Sequence, residues 1–285
     1  MFPGRSFREE YDVQKLLGEE RLAHVPDLLG FESNLRTLGE QFYVMRFVDG
    51  RTPDTQPSYH QGGWVKALPP DDRRSLWFDA LGTLGNLHRS TIGSPLITRY
   101  SRETPARTDF AFWLSYWENH YAQSAGDNRL SLMVQIAGWL RNNEPRSRRC
   151  ALCWGDARIG NMIFDEHLKC AAMIDWELFS IGDPTQDLAY CLYSDDHFVF
   201  ANSDQSNLSW PTHEESVARY EEAAGFPVDR QVLSFYRIYS GYWIVCTLSR
   251  LIEIQKRSGN LPAETNVDER FTPVAYLRKE WESNR

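Results

Sequence analysis

One stretch constrains this chain more than any other: residues 152–190, LCWGDARIGNMIFDEHLKCAAMIDWELFSIGDPTQDLAY. Three short apolar runs, ALCW, MIF and AAMI, are separated by polar turns, the pattern of short buried strands. Asp156 follows the first run, with Gly155 ahead of it to allow tight backbone geometry. Asn161 stands five positions after Asp156, just before MIF, and Asp175 ends AAMID after the turn at residues 165–169. A strand–loop–strand–turn–strand order predicts that the three polar side chains meet at one end of a small sheet. Two carboxylates and an amide oxygen are hard donors that suit magnesium, whose shell is completed by water and phosphate. Phosphoryl transfer asks for such a set: an acceptor for the attacking hydroxyl's proton, and metal ligands that neutralise the moving phosphate. Single Asp and Asn residues in loops are usually turn formers or caps. That reading accounts for Asp165 and Asp183 but poorly for the joint spacing of Asp156, Asn161 and Asp175.

Composition narrows the setting. With 285 residues, 42% hydrophobic and 25% charged, the chain has enough material for one large domain or two lobes around a real core. A net charge of −8 argues against a nucleic-acid partner, because such a binder needs a basic face. It leaves nucleotide binding open, since a local cation or a magnesium ion can meet phosphates. No apolar run approaches the roughly 20 residues of a membrane span, and MFPGRSFREE lacks the apolar stretch of a signal peptide; the expected setting is cytoplasmic, with no membrane partner. Five irregularly spaced cysteines are no disulfide framework. The Cys150–Cys153 CxxC has no second pair, so both are read as small core residues of a buried strand.

Along the chain, residues 7–19 show helical spacing of Phe7, Tyr11 and Leu17. Residues 28–32 and 41–48 read as strands separated by SNLRTLGE, and residues 50–70 as a loop or connector. Asp71 is placed to cap a helix with a Leu76, Trp77, Ala80, Leu81, Leu84, Leu87 stripe. Further stripes are Phe110, Trp113, Leu114, Trp117, Tyr121 and Leu130, Met133, Val134, Ala137, Leu140. Helices are expected at 184–194, 213–224, 229–257 and 273–283, with Asp183 as a cap and Pro184 in the first turn.

The block at 152–190 resembles the HGDxxxxNxxxD…DWExxxxGDPxxDLA signature of the aminoglycoside phosphotransferase and choline-kinase-like superfamily. It also resembles the phosphotransferase domains that accompany some acyl-CoA dehydrogenases. REEYDVQKLLGE is similar to the family's helix C, FYVMRFVDG to its last small-lobe strand and hinge, and LGNLHRS to a family helix end. The resemblance implies an α+β, protein-kinase-like two-lobe fold with a truncated N-terminal lobe and a mainly helical C-terminal lobe. The small lobe would be residues 1–48 and the large lobe 49–285. It further implies that Asp156 is the catalytic base and that Asn161 and Asp175 hold Mg2+ against the phosphates of ATP or GTP. Glu10 would pair with a strand-three cation, Arg46, Phe47 and Val48 would offer backbone groups to the nucleotide base, and Asp187 would brace the catalytic loop from behind. Arg158 would meet a phosphate or a substrate carboxylate, with a surface ion pair the competing reading. The implied acceptor is a small hydroxylated molecule; across the superfamily such acceptors include aminoglycosides, choline, homoserine-like alcohols and hydroxyacyl groups.

Two departures from the family pattern stand out. Trp154 replaces the histidine before Gly-Asp, so that residue's hydrogen bond is expected to be lost or taken over by the indole N–H. The Gly-rich loop and the strand-three cation have no counterpart before residue 7, and residues 1–6 read as the tail of the loop leading into helix C. A misassigned start, a fragment and a natural truncation each explain this. The leading expectation is a nucleotide- and magnesium-dependent kinase of an alcohol. The alternative is a catalytically weak or inactive kinase-like binding module. A magnesium-dependent phosphohydrolase is disfavoured, because it gives the hinge-like FYVMRFV no role.

Overall fold

Two acids and an apolar face explain the first helix, α1 (Phe7–Glu19). Glu9 and Glu10 lie in its first turn, where carboxylates meet the positive end of the helix dipole, and Tyr11, Val13, Gln14 and Leu17 are buried. The structure is a computed structural model that describes residues 6–103, 108–126, 128–146, 149–201 and 210–284; residues 1–5 of the expected lead-in to helix C therefore lie outside the described residues. Strands β1 (Leu28–Glu32) and β2 (Phe42–Met45) pair antiparallel, with Glu32 opposite Phe42 and Leu28 opposite Met45. The polar stretch between them folds into a one-turn helix, α2 (Leu35–Leu38), which the Asn34 side chain caps by accepting from the Arg36 N–H. This small sheet packs on α1 through the rings of Tyr11, Phe31 and Tyr43, while Leu29, Val44, Met45 and Phe47 are exposed.

The connector is more ordered than its composition suggests. Arg51 and Phe164 exchange both backbone hydrogen bonds at 2.9 Å, and a short helix, α3 (Gly63–Ala67), follows. The next helix, α4 (Pro70–Thr91), starts earlier than the expected Asp71 cap: Pro69 precedes it and Pro70 opens it. Proline lacks the N–H that a first turn leaves unbonded, which frees Asp71 and Asp72 to sit inside that turn against the dipole. Then come α5 (Pro95–Glu103), α6 (Phe110–Ala125), capped by Asp109, and α7 (Ser131–Asn142). The buried face of α7 is Leu132, Met133, Ile136, Ala137 and Leu140; the expected member Val134 is 60% exposed. The expected members Met133, Ala137 and Leu140 do lie on that face, while Leu130 precedes the helix.

The small strands also depart from a single sheet. β3 (Ala151–Cys153) pairs with β6 (Ser180–Gly182), and β4 (Met162–Phe164) with β5 (Cys170–Met173), giving two antiparallel pairs. Because β3 starts at Ala151, Cys150 is exposed while Cys153 is buried, correcting the reading of both as core. Among the described residues four more helices follow: α8 (Thr185–Ala201), α9 (His213–Ala224), α10 (Arg230–Arg257) and α11 (Thr272–Ser283). α8 runs beyond its expected end at residue 194. The core lies between these helices and the strand pairs, with Trp77, Trp154, Trp176, Tyr193, Tyr220 and Tyr242 among its largest fully buried side chains. Among the described residues no helix is long and apolar enough to cross a membrane.

Helices α4 and α9 approach closely at Gly85. A Cβ there would stand 2.8 Å from the Ala223 Cβ and 2.9 Å from the Ala224 nitrogen and the Tyr220 carbonyl oxygen. Backbone cannot yield as a flexible side chain does, so Gly85→Ala should destabilise the fold by about 1–3 kcal/mol. A thermal melt followed by circular dichroism should show the loss as a fall of several degrees; an unchanged or higher midpoint would contradict this packing.

Candidate active site

The loop after β3 turns at Gly155, whose φ is 90° and whose Cβ would collide with the Leu178 carbonyl oxygen at 2.1 Å. Only glycine fits that turn without displacing Leu178. Asp156 follows, the Arg158 N–H returns to the Asp156 carbonyl at 2.9 Å, and a 3-10 turn (Ile159–Asn161) delivers Asn161. The Asn161 carbonyl then accepts from the Ile174 N–H at 3.0 Å, tying it to the residue before Asp175. Asp156, Asn161 and Asp175 are thus brought together by backbone bonds across the β4–β5 hairpin.

Donors surround the Asp156 carboxylate. Asn161 Nδ2 donates to Oδ2 at 2.8 Å, Tyr190 Oη to Oδ1 at 2.5 Å, and Arg158 Nε to both oxygens at 3.0 and 3.2 Å. An amide whose nitrogen faces a carboxylate turns its oxygen elsewhere, and that oxygen is the atom a hard cation takes. Burial alone would lower the Arg158 guanidinium pKa, but the neighbouring Asp156 outweighs it and holds the guanidinium above its ordinary value.

Asp175 is strained and electrostatically crowded. Its φ of 64° is left-handed, uncommon for a residue with a Cβ. Burial pushes its carboxyl up to about 7, helped by Asp156, Glu177 and Glu10 and opposed by Arg158. Glu10 reaches this neighbourhood from α1 and accepts a hydrogen bond from Tyr43 Oη at 2.7 Å, to which Gln14 also donates.

Behind the loop, Asp187 accepts from the backbone N–H groups of Trp154 and Gly155, the latter at 3.0 Å. His88 Nε2 stands 3.1 Å from the same carboxylate, and its Nδ1 stands 2.6 Å from Tyr220 Oη, so α4, α8 and α9 converge there. Cys153 lies close enough to complete a three-ligand group with His88 and Asp187. The His88 and Asp187 atoms already have protein partners, which makes the group a brace. Trp154 is fully buried, and its indole N–H donates to the Ile174 carbonyl at 3.0 Å.

Farther out, the Arg46 N–H donates to the Asp27 carbonyl at 2.8 Å, and Phe47 is 81% exposed, with Val48 half-buried beside it. Tyr190, Tyr43 and His88 are contributors that sequence reasoning does not single out. For Tyr190 the available signal is its i+3 spacing from Asp187 on α8, which puts both on one face.

Residues 3–235 match the model of a family described as the phosphotransferase enzyme family. The chain is 29% identical over 272 residues to acyl-CoA dehydrogenase family member 11 of Gallus gallus, covering 90% of this chain and 33% of that protein. It thus spans about a third of that curated relative's length. Among solved structures, a Ralstonia eutropha protein provisionally described as an aminoglycoside phosphotransferase superposes with a TM-score of 0.73 at 21% identity, over 96% of this chain and 82% of that one. A choline kinase from Streptococcus pneumoniae gives 0.60 at 14% identity, over 99% and 81%. These likenesses show an α+β, protein-kinase-like fold with a mainly helical C-terminal part.

The raised Asp175 carboxyl has a thermodynamic consequence. An aspartate in the unfolded chain loses its proton near pH ~3.9, whereas in the folded chain it does so only at about 7. Between those values the folded state binds more protons, so this group's contribution to stability falls as pH rises and levels off above about 7. Asp175→Asn removes the effect. In metal-free buffer its melting temperature should gain on wild type progressively from pH 5 to pH 7.5, then hold a constant lead; a lead independent of pH would contradict the assigned environment.

Proposed function

The chain belongs to the phosphotransferase enzyme family, and from that membership we propose that it transfers the γ-phosphoryl group of ATP or GTP to a hydroxyl of a small molecule. The observation that carries this reading is the Asp156 carboxylate held by Asn161, with Asp175 tied in through Ile174.

Asp156 takes the proton of the acceptor hydroxyl as the alcohol oxygen bonds to the γ-phosphorus, while the bond from that phosphorus to the leaving diphosphate oxygen breaks. Asn161 and Asp175 would hold magnesium. The donor set fits: one amide oxygen turned away from Asp156, and a carboxyl that burial and like charges keep from ionising easily, a condition a divalent cation relieves. Bound there, the metal would neutralise phosphate charge. Arg158 guards the base in the resting state and is placed to turn toward phosphate when the acceptor takes its position.

Residues 1–48 serve as the small lobe and 49–285 as the large one. Since the Arg46 N–H is engaged with Asp27, the base of the nucleotide is read mainly by Phe47 and Val48 along with the Arg46 carbonyl. Glu10 lies within electrostatic reach of Asp175 and is held in place by the Tyr43 hydroxyl. The acceptor would be received by the helices that follow Pro70 together with the C-terminal helices.

Calorimetric titration of nucleotide into the full-length protein, at several magnesium concentrations, tests these assignments. Asp156→Asn should bind nucleotide like wild type yet lose at least ~100-fold in turnover. Asn161→Ala and Asp175→Ala should weaken magnesium-dependent binding, with added magnesium partly restoring the Asn161 variant. Binding by both that ignores magnesium would remove the metal assignment.

A further inference from the structure

Tyr190 comes from α8, 34 positions after Asp156, and its hydroxyl ends on the carboxylate assigned as the base. The same helix face carries Asp187. One face of α8 therefore fixes the catalytic loop twice: Asp187 holds its backbone through Trp154 and Gly155, and Tyr190 holds the Asp156 side chain.

The phenol has little freedom to do anything else. Tyr190 is 6% exposed, and its ring packs 4.6 Å from Trp243 of α10, which stacks at 5.4 Å on Trp117 of α6. The space left beside it, bounded also by Gly155 and Leu178, is about 30 Å³, room for about one water. Burial, and next the Asp156 charge, keep the hydroxyl well above its ordinary pKa, so it remains a protonated donor.

A carboxylate rotates easily about its last torsion, and the energy wells of that torsion are broad. Here Tyr190 pins Oδ1 and Asn161 pins Oδ2, so the plane is fixed from both sides. Arg158 Nε straddles the two oxygens and favours neither. A carboxylate offers about four acceptor positions; with Tyr190 and Asn161 on one oxygen each, the straddling arginine covers what remains.

We propose that Tyr190 is a positioning residue for phosphoryl transfer: with Asn161 it sets the plane of the Asp156 carboxylate, leaving Arg158 as the donor that gives way to the acceptor hydroxyl. This rests on Asp156 being the proton acceptor. It assigns the aromatic array of α6, α8 and α10 a function beyond packing, namely holding the phenol that aims the base.

Tyr190→Phe removes the hydroxyl and keeps the ring, and two measurements on the full-length protein read the result. Crystal structures of wild type and variant should show the Asp156 carboxylate turned out of its plane in the variant, with the Asn161 contact broken or re-formed on new geometry. Turnover should fall ~10- to 100-fold, the scale of a hydrogen bond to a charged group, while the KM for nucleotide stays within about twofold. In an Asp156→Asn background the second substitution should cost nothing more, because the group it aims is gone. An unturned carboxylate in the variant crystal overturns the proposal whatever the turnover. A turned carboxylate combined with an active Asp156→Asn enzyme would instead sink the base assignment and leave the contact standing.

Discussion

The site depends first on one buried carboxylate. Asp187 accepts from two consecutive backbone N–H groups, those of Trp154 and Gly155, at the point where β3 ends and the chain must turn with a left-handed glycine. A buried N–H left unbonded is costly, and this one carboxylate satisfies both. His88, oriented by Tyr220, supports the carboxylate from the other side. Removing one member of a buried, bonded charged group typically costs roughly 3–5 kcal/mol. The loop that carries Asp156 is therefore built onto three helices before any ligand arrives.

Ahead of that brace the chemistry is set by unbalanced charge. Asp156, Glu177 and Glu10 each act on Asp175, with Arg158 as the opposing charge. Clustered acids repel, and the raised carboxyl of Asp175 records that repulsion together with its burial. Its left-handed backbone adds local strain. Such a region is poorly satisfied alone, and under the proposed function a divalent cation with phosphate attached would relieve it, even in a chain of net charge −8.

Much of this was legible in the sequence, for identifiable reasons. Helices α9, α10 and α11 fall close to the spans expected for them, and the structure adds that Thr212 and Asp229 cap α9 and α10. Asp156, Asn161 and Asp175 could be linked because local turns, short enough to read, bring them together. What pattern reading could not supply was the partner of β3: one sheet was expected, but β3 pairs with β6, beyond the β4–β5 hairpin. Pairing of that kind depends on tertiary packing that no local window contains. Tyr190 escaped for a related reason. In sequence it is one more aromatic on a helix, and its contact with Asp156 exists only once α8 has docked under the loop. Cys150 shows the milder limit, where a one-residue shift in an element's start moves a side chain from core to solvent.

The central claim is that this carboxylate, amide and carboxylate set moves phosphate to an alcohol. Phosphorus NMR of the full-length protein with ATP, magnesium and a panel of small hydroxylated compounds tests it most directly. The account predicts a new phosphate-ester signal growing in step with ADP for at least one alcohol, and its loss when Asp156 becomes Asn. ADP accompanied only by inorganic phosphate, at a rate indifferent to Asp156, would contradict it.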